Sequence, residues 1–243
     1  MVSKLELTPA RLEVKDLTFA YPDSPQLLSD ISFSIQRGQR VAIVGPNGAG
    51  KTTLLLNLTG LLTGSGEICI NDIPLQKKNL PVIRQLMGMV FQSPDDQLFS
   101  NRVFDDVAYG LVYQGKEKEL IEHYVESALQ AVDMQDYQDA VPYHLSLGQK
   151  KRVAIATVLS MQPQLLLFDE PTMGLDARAR KQFIQIVRDL PQTVLLATHD
   201  LRLAAALCER LLVLDAGQIV YDGELKTALQ DTGFLEKHGL DFE

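Results

Sequence analysis

Apolar and polar residues alternate in two short stretches of the chain. The first covers residues 12–35, around the turn sequence YPDSPQ, and the second covers residues 66–73. Alternation of this kind is typical of strands that bury one face, so both stretches predict an antiparallel β patch.

Uninterrupted apolar runs elsewhere predict buried strands joined by helices. These runs lie within residues 41–62, 164–170, 193–199 and 210–214. In the first of them, residues 41–44 predict a strand and residues 53–62 a helix. Strands that alternate with helices favour a mainly parallel sheet, and such sheets place their chemistry at the carboxyl ends of the strands.

Between these runs, residues 93–160 have apolar positions three or four apart, which predicts an inserted helical subdomain. We expect one α/β domain over residues 1–243. Residues 1–92 and 161–225 would form its core with the antiparallel patch, residues 93–160 the helical insertion, and residues 226–243 a charged helical tail.

Composition limits the possible functions. The chain has 23 basic and 31 acidic residues and a net charge of −8, the wrong sign for a protein that holds nucleic acid through phosphate contacts. Its apolar stretches fall far short of the ~20 residues that span a bilayer, and no signal peptide pattern opens the chain. Cys69 and Cys208 have no second metal ligand at useful spacing, so we expect them to be buried thiols.

A glycine-rich segment follows the first buried strand and precedes the predicted helix. It fits G-x-x-x-x-G-K-[ST], a loop whose backbone N–H groups surround phosphates, whose lysine adds a cation and whose hydroxyl reaches Mg²⁺. The sequence therefore predicts an ATP-binding loop. Its residues are Gly45, Pro46, Asn47, Gly48, Ala49, Gly50, Lys51, Thr52 and Thr53.

Two carboxylates end another buried strand, in the sequence LLLFDE at residues 165–170. Asp169 would hold Mg²⁺ through water, and Glu170 would polarise the attacking water. The alternative is an acidic pair at the start of a helix, without catalytic function.

The sequence LSLGQKKRVAIA at residues 145–156 predicts the start of a helix. Ser146 and Gln149 match the capping box S-x-x-Q, which by itself explains both residues structurally. A helix N-terminus with serine and glycine is also an anion site, so this segment could instead bind a γ-phosphate, in another subunit.

These three elements, in this order, resemble the ATP-binding cassette subunit of an ABC transporter, over essentially the whole chain. Phe91 and Gln92 resemble the family's Q-loop, MGLD at residues 173–176 its D-loop, and THD at residues 198–200 its switch histidine. The resemblance implies that Tyr21 stacks on adenine and that His199 contacts the γ-phosphate region. It also implies that Gln92 senses Mg²⁺, which Thr52 and Asp169 help to bind.

The resemblance further implies a head-to-tail dimer with two ATP sites, closed by ATP binding and opened by hydrolysis. The residues expected to contact the partner's ATP are Ser146, Leu147, Gly148, Gln149 and Asp176. Leu147 departs from the family's common L-S-G-G-Q, because it replaces a glycine.

The segment SPDDQLFSNRVFDDVAYGL at residues 93–111 resembles ATPases of energy-coupling factor transporters, which import vitamins and cobalt or nickel. The resemblance implies a second ATPase subunit, identical or paralogous, together with a membrane scaffold and a substrate-binding membrane subunit. The chain would then lie at the cytoplasmic face of the membrane. Leu98 and Phe99 would form a docking ridge, unless this helix start packs inward.

Three alternatives remain at this point: a soluble ABC ATPase acting outside transport, the ATPase of another type of ABC transporter, and a nucleotide-binding regulator that does not hydrolyse ATP. The single cassette and the acidic balance disfavour the first. The presence of Glu170, Gln92 and His199 disfavours the regulator.

Overall fold

The computed structural model describes residues 8–240. The chain forms two compact units: the first comprises Met1–Met87, Gln164–Glu170 and Pro191–Glu243, and the second comprises Gly88–Pro163 and Pro171–Leu190. The sequence assigned residues 171–190 to the core, whereas they cluster with the helices of the second unit. Residues 1–7 and 241–243, at the ends of the predicted core and tail, lie outside the described residues.

Strands and helices alternate along most of the chain. In chain order the strands are β1 (Leu12–Ala20), β2 (Gln26–Ile35), β3 (Arg40–Val44), β4 (Ser65–Ile70), β5 (Ile73–Pro74), β6 (Met87–Val90), β7 (Leu165–Asp169), β8 (Thr193–Thr198), β9 (Arg210–Asp215) and β10 (Gln218–Glu224). The α-helices are α1 (Lys51–Leu58), α2 (Leu80–Leu86), α3 (Val103–Tyr113), α4 (Lys118–Ala131), α5 (Leu147–Leu159), α6 (Ala177–Asp189), α7 (Leu201–Leu207), α8 (Leu225–Ala228) and α9 (Thr232–Lys237).

The first unit contains the predicted antiparallel patch. Its strand order is β2-β1-β4-β5, and β1 pairs antiparallel with both β2 and β4. Leu12, Val14 and Leu17 of β1 are at most 2% exposed. The alternation seen in the sequence therefore separates a buried face from a polar one.

The parallel sheet of the first unit has the order β10-β9-β3-β8-β7. Strand β3 is parallel to both β8 and β9, and β7 is parallel to β8. Every residue of β7 and β8 is buried, as expected for strands covered on both faces. The mixed α/β fold predicted from the sequence is confirmed, and strand β10, which pairs antiparallel with β9, was not predicted.

Helix α1 differs from its predicted bounds. It begins at Lys51 and ends at Leu58, whereas residues 53–62 were expected to be helical. Gly60 has φ +70°, a left-handed conformation that ends a helix, and apolar periodicity does not reveal this stop.

The second unit is mainly helical, and its helices α3 and α4 each bury one face. Helix α3 buries Val103, Val107 and Leu111, and α4 buries Val125 and Leu129. Within residues 8–240, every helix is too short or too polar to cross a lipid bilayer.

Candidate functional site

The carboxyl ends of three parallel strands bring the predicted catalytic residues of the first unit together. Val44 of β3 pairs with Thr198 of β8, and Asp169 of β7 pairs with Ala197 of the same strand. The phosphate loop leaves β3, Glu170 follows β7 and His199 follows β8. All three therefore meet at one edge of the sheet.

The phosphate loop needs its glycines for two different reasons. A Cβ on Gly45 would collide with the carbonyl oxygen of Leu214, so the residue permits a close approach of backbone to backbone. Gly50 has φ +104°, and a Cβ there would lie 2.8 Å from the side chain of Leu28. These constraints place the loop against β9 and turn it into the N-terminus of α1.

Lys51 is the first residue of α1 and is 6% exposed. Its Nζ donates hydrogen bonds to the carbonyl oxygens of Gly45, at 2.7 Å, and Pro46, at 3.2 Å, and lies 3.7 Å from Oε1 of Glu170. Burial lowers the pKa of this ammonium, while the carboxylates of Glu170 and Asp169 oppose that shift. The lysine side chain thus folds back onto the phosphate loop and is hydrogen-bonded to its backbone.

Asp169 is 2% exposed, and burial raises the pKa of its carboxyl group. A hydrogen bond with the side chain of Thr52 opposes that shift. Its Oδ1 is buried without a hydrogen-bond partner. A hydroxyl beside an unsatisfied carboxylate oxygen suits Mg²⁺, which prefers oxygen ligands and keeps several waters.

Residues 8–240 contain no cluster of three or more His, Cys, Asp or Glu side chains that could hold a metal by themselves. A magnesium ion here would therefore depend on phosphate oxygens and water for its other ligands. That is the usual arrangement of the ion in nucleotide sites.

Glu170 is held in one orientation by its neighbours. It is 8% exposed, and its backbone has φ +41°, an unusual conformation for a residue other than glycine. Oε2 accepts a hydrogen bond from the Thr198 hydroxyl at 3.0 Å, and Oε1 lies 2.9 Å from Nδ1 of His199. A strained, oriented and buried carboxylate is suited to polarising water.

Thr198 was not predicted as a site residue, although it precedes His199 in the sequence THD. It is fully buried, donates to Glu170 and accepts a hydrogen bond from the backbone N–H of Asp200 at 3.1 Å. The sequence could have indicated this residue through its position at the end of the buried strand β8, where site residues of parallel sheets lie. The structure adds Thr198 as the residue that orients Glu170.

Tyr21 lies beside the phosphate loop. Its hydroxyl is 3.3 Å from Oγ1 of Thr53 in α1, and its ring packs edge-on against Phe19 at 5.0 Å. The side chain remains 39% exposed, so one face of the ring is available to a base.

The capping box predicted at Ser146 is confirmed in the second unit. Ser146 accepts a hydrogen bond from the backbone N–H of Gln149 at 3.3 Å, and the Gln149 side chain accepts one from the Ser146 N–H at 2.9 Å. Both residues therefore have a structural function. Binding of a partner's γ-phosphate at this helix N-terminus stays a prediction.

Helices α5 and α6 approach each other closely behind that N-terminus. A Cβ on Gly148 would lie 3.0 Å from the Cβ of Ala179, and Asp176 caps α6 by accepting from the Ala179 N–H at 2.7 Å. Leu147 is 40% exposed, and one of its methyl carbons would be 3.0 Å from a Cβ on Gly174. The leucine that replaces glycine thus packs on the predicted D-loop.

Gln92, Leu98 and Phe99 lie on one segment with different exposures. The Gln92 amide donates to the sulfur of Met173 at 2.9 Å. Phe99 is 66% exposed, but Leu98 is only 8% exposed. The expectation that both Leu98 and Phe99 face outward is wrong for Leu98, whose backbone N–H donates to the carbonyl oxygen of Pro94 and whose side chain is buried.

A parallel sheet with a phosphate loop and a buried, oriented carboxylate at its carboxyl edge is typical of a P-loop ATPase. A model of the ABC transporter family matches residues 28–173. The chain belongs to this family, and it is an ATP-binding and ATP-hydrolysing subunit of a transporter.

Similar proteins extend this match to nearly the whole chain. An energy-coupling factor transporter ATP-binding protein, EcfA of Carboxydothermus hydrogenoformans, is 44% identical over 94% of this chain and 86% of its own length. The structure of cbiO1 from Clostridium perfringens, part of the ABC transporter complex cbiONQ, has a TM-score of 0.83 at 36% identity and covers 93% of each chain. A dimeric bacterial ABC transporter cassette has a TM-score of 0.80 at 27% identity, covering 88% of this chain and 98% of the cassette.

Proposed function

We propose that this chain is an ATPase of an energy-coupling factor importer, which moves a vitamin or a cobalt or nickel ion through separate membrane subunits. The observation that carries the proposal is the segment 93–111, whose sequence resembles that class and whose Phe99 is exposed. The relative from Carboxydothermus hydrogenoformans is named as an ATP-binding protein of this transporter class, and its match to this chain covers 86% of its own length.

Hydrolysis would begin with Glu170, which polarises a water for attack on the γ-phosphate. Thr198 and His199 hold its two oxygens, so the carboxylate is already oriented before ATP arrives. Lys51 would exchange its carbonyl partners for phosphate oxygens. Because burial disfavours the ammonium, the charged oxygens of a triphosphate would stabilise it.

Thr52 and Asp169 are the residues that would hold Mg²⁺, with Asp169 acting through water and Gln92 as a further ligand. When bound, the ion neutralises charge on the phosphates of ATP. The unpartnered Oδ1 of Asp169 supports this role, because a buried acceptor without a donor is otherwise costly.

A head-to-tail dimer would complete the ATP site. Ser146, Leu147, Gly148, Gln149 and Asp176 would then contact ATP held by the partner. The N-terminus of α5 supports this role, because Ser146 and the following N–H groups suit an anion. Hydrolysis removes the γ-phosphate that both subunits contact, so the dimer would open.

The surface proposed to dock the membrane scaffold contains exposed apolar side chains on and before α3. Phe99, Tyr109, Val112 and Tyr113 are between 56% and 83% exposed, and the rings of Phe99 and Tyr109 pack edge-on at 4.9 Å. Asp106 fixes the start of this surface by accepting from the backbone N–H groups of Phe99 and Ser100, at 3.1 and 2.9 Å. An apolar ridge of this kind suits the helix of a partner.

Solute uptake tests the proposal in cells that contain the complete transporter. Deleting the gene for this chain should abolish uptake of one labelled solute in a panel of vitamins, cobalt and nickel. The natural chain should restore uptake, and Glu170→Gln should not. Unchanged uptake of every solute in the panel would contradict the importer proposal while leaving the ATPase assignment intact.

A further inference from the structure

The C-terminal segment, defined here as α9 and residues 238–240, is packed onto the first unit rather than extended from it. Leu235 and Leu240 are each 3% exposed. The ring of Phe234 lies 5.6 Å from that of Tyr221 in β10 and 4.6 Å from that of His238. Two buried leucines and an aromatic cluster thus fix the segment in place.

His238 attaches this segment to the end of β9. Its Nδ1 lies 2.7 Å from Oδ2 of Asp215, and its side chain is only 10% exposed. Because a carboxylate only accepts hydrogen bonds, Nδ1 is the donor. Asp215 directly follows Leu214, whose carbonyl oxygen packs on Gly45 of the phosphate loop.

The residue after His238 reaches the phosphate loop itself. Gly239 has φ +65°, and a Cβ there would lie 3.6 Å from the Cβ of Pro46. Pro46 is one of the residues whose carbonyl oxygen accepts from Lys51. The C-terminal segment therefore lies directly beside the first turn of the phosphate loop.

We infer that the C-terminal segment supports the first turn of the phosphate loop, and that His238 is a positioning residue for nucleotide binding. Two sets of neighbouring residues connect the segment to the loop. His238 holds Asp215, which follows Leu214 beside Gly45, and Gly239 lies beside Pro46. Loosening the segment lets Gly45 and Pro46 move, so the loop loses part of the geometry in which its N–H groups meet phosphate. This inference rests on ATP binding and not on the identity of the transporter.

Calorimetric titration of the full-length chain with ATP and with ADP tests the inference. His238→Ala should raise the Kd for both nucleotides by about threefold to tenfold, because only part of the free energy of the lost hydrogen bond is transmitted to the phosphate loop. The Kd for ATP and the Kd for ADP should rise by the same factor, since the loop surrounds phosphates that both nucleotides have. His238→Asn should restore most of the affinity, because its amide nitrogen is as many bonds from the backbone as Nδ1.

A second variant and a control separate positioning from folding. Gly239→Ala strains the backbone at a position where a methyl group itself would fit, and it should raise both Kd values without removing the Asp215 contact. Tyr221→Phe loses only the bond from its hydroxyl to the Glu224 carbonyl, at 2.9 Å, and should leave both Kd values unchanged.

A lower melting temperature with unchanged Kd in His238→Ala, or a loss of affinity confined to ATP, would overturn the inference. Failure of the importer proposal would leave these affinities unaffected.

Discussion

Nδ1 of His199 lies 2.9 Å from Oε1 of Glu170, at the ends of two neighbouring parallel strands. A carboxylate accepts hydrogen bonds only, so the imidazole donates through Nδ1. A phosphate is also an acceptor. A contact between His199 and a γ-phosphate would therefore use the other ring nitrogen, Nε2, as the donor.

Substitutions of His199 can separate its contact with Glu170 from its expected contact with phosphate. His199→Asn can retain a donor to Glu170 but has no nitrogen in the position of Nε2 to donate to phosphate, whereas His199→Leu loses both contacts. We expect steady-state ATPase activity to fall by about 100-fold in the asparagine variant, as when one positioned donor is removed, and further in the leucine variant. Near-normal turnover in His199→Asn would show that His199 acts through Glu170 alone.

Lys51→Ala should lose ATP affinity and keep the fold. The triphosphate then lacks its main protein cation, while the removed side chain was itself a buried ammonium with a lowered pKa. Calorimetric titration with ATP, alongside a thermal melt, measures both effects. Unchanged affinity in the alanine variant would contradict the role of the phosphate loop.

Asp169→Asn should raise the melting temperature at neutral pH and reduce ATPase activity. Burial raises the pKa of Asp169 above 3.8, so the ionised carboxylate destabilises the folded state when pH exceeds that raised value. The stability advantage of asparagine should shrink as pH falls through the raised pKa, because the natural side chain then becomes neutral too. The exposed Asp136→Asn serves as a control whose melting temperature should stay unchanged; a gain for Asp169→Asn that persists at pH 3 would contradict this explanation.

Leu98 and Phe99 form a matched pair for testing the docking surface. Phe99→Ser removes an exposed side chain and should abolish co-purification with the membrane scaffold without lowering the melting temperature. Leu98→Ser removes a buried one and should destabilise the chain by about 2 to 5 kcal/mol. If Phe99→Ser still assembles normally, or melts as early as Leu98→Ser, the proposed ridge is not the docking surface.

Local patterns predicted those parts of the site that depend on neighbouring residues in sequence. The phosphate loop, the capping box at Ser146 and the two carboxylates at the end of β7 are of this kind. The bond between Thr198 and Glu170 was not predictable, because it depends on the register of β7 against β8. The same holds for Leu98 and Phe99, because the packing of the folded unit decides which of two adjacent apolar side chains is buried.

The contact between the C-terminal segment and the phosphate loop also escaped prediction. The residues of this segment were expected to form a charged helical tail. Nothing in a local pattern links Gly239 to Pro46, since the two residues are far apart in the sequence and lie close together only in the folded chain. Such long-range contacts arise from the fold and not from a motif.

The association state of Glu170→Gln with ATP and Mg²⁺ tests the central claim, that ATP closes a dimer which hydrolysis opens. The glutamine keeps the size of the side chain but cannot act as a base, so turnover should fall by about 100-fold or more while ATP still binds. Size-exclusion chromatography with light scattering should then show a dimer with ATP and a monomer with ADP. A variant that remains monomeric while loaded with ATP, or that retains near-normal turnover, would contradict the account.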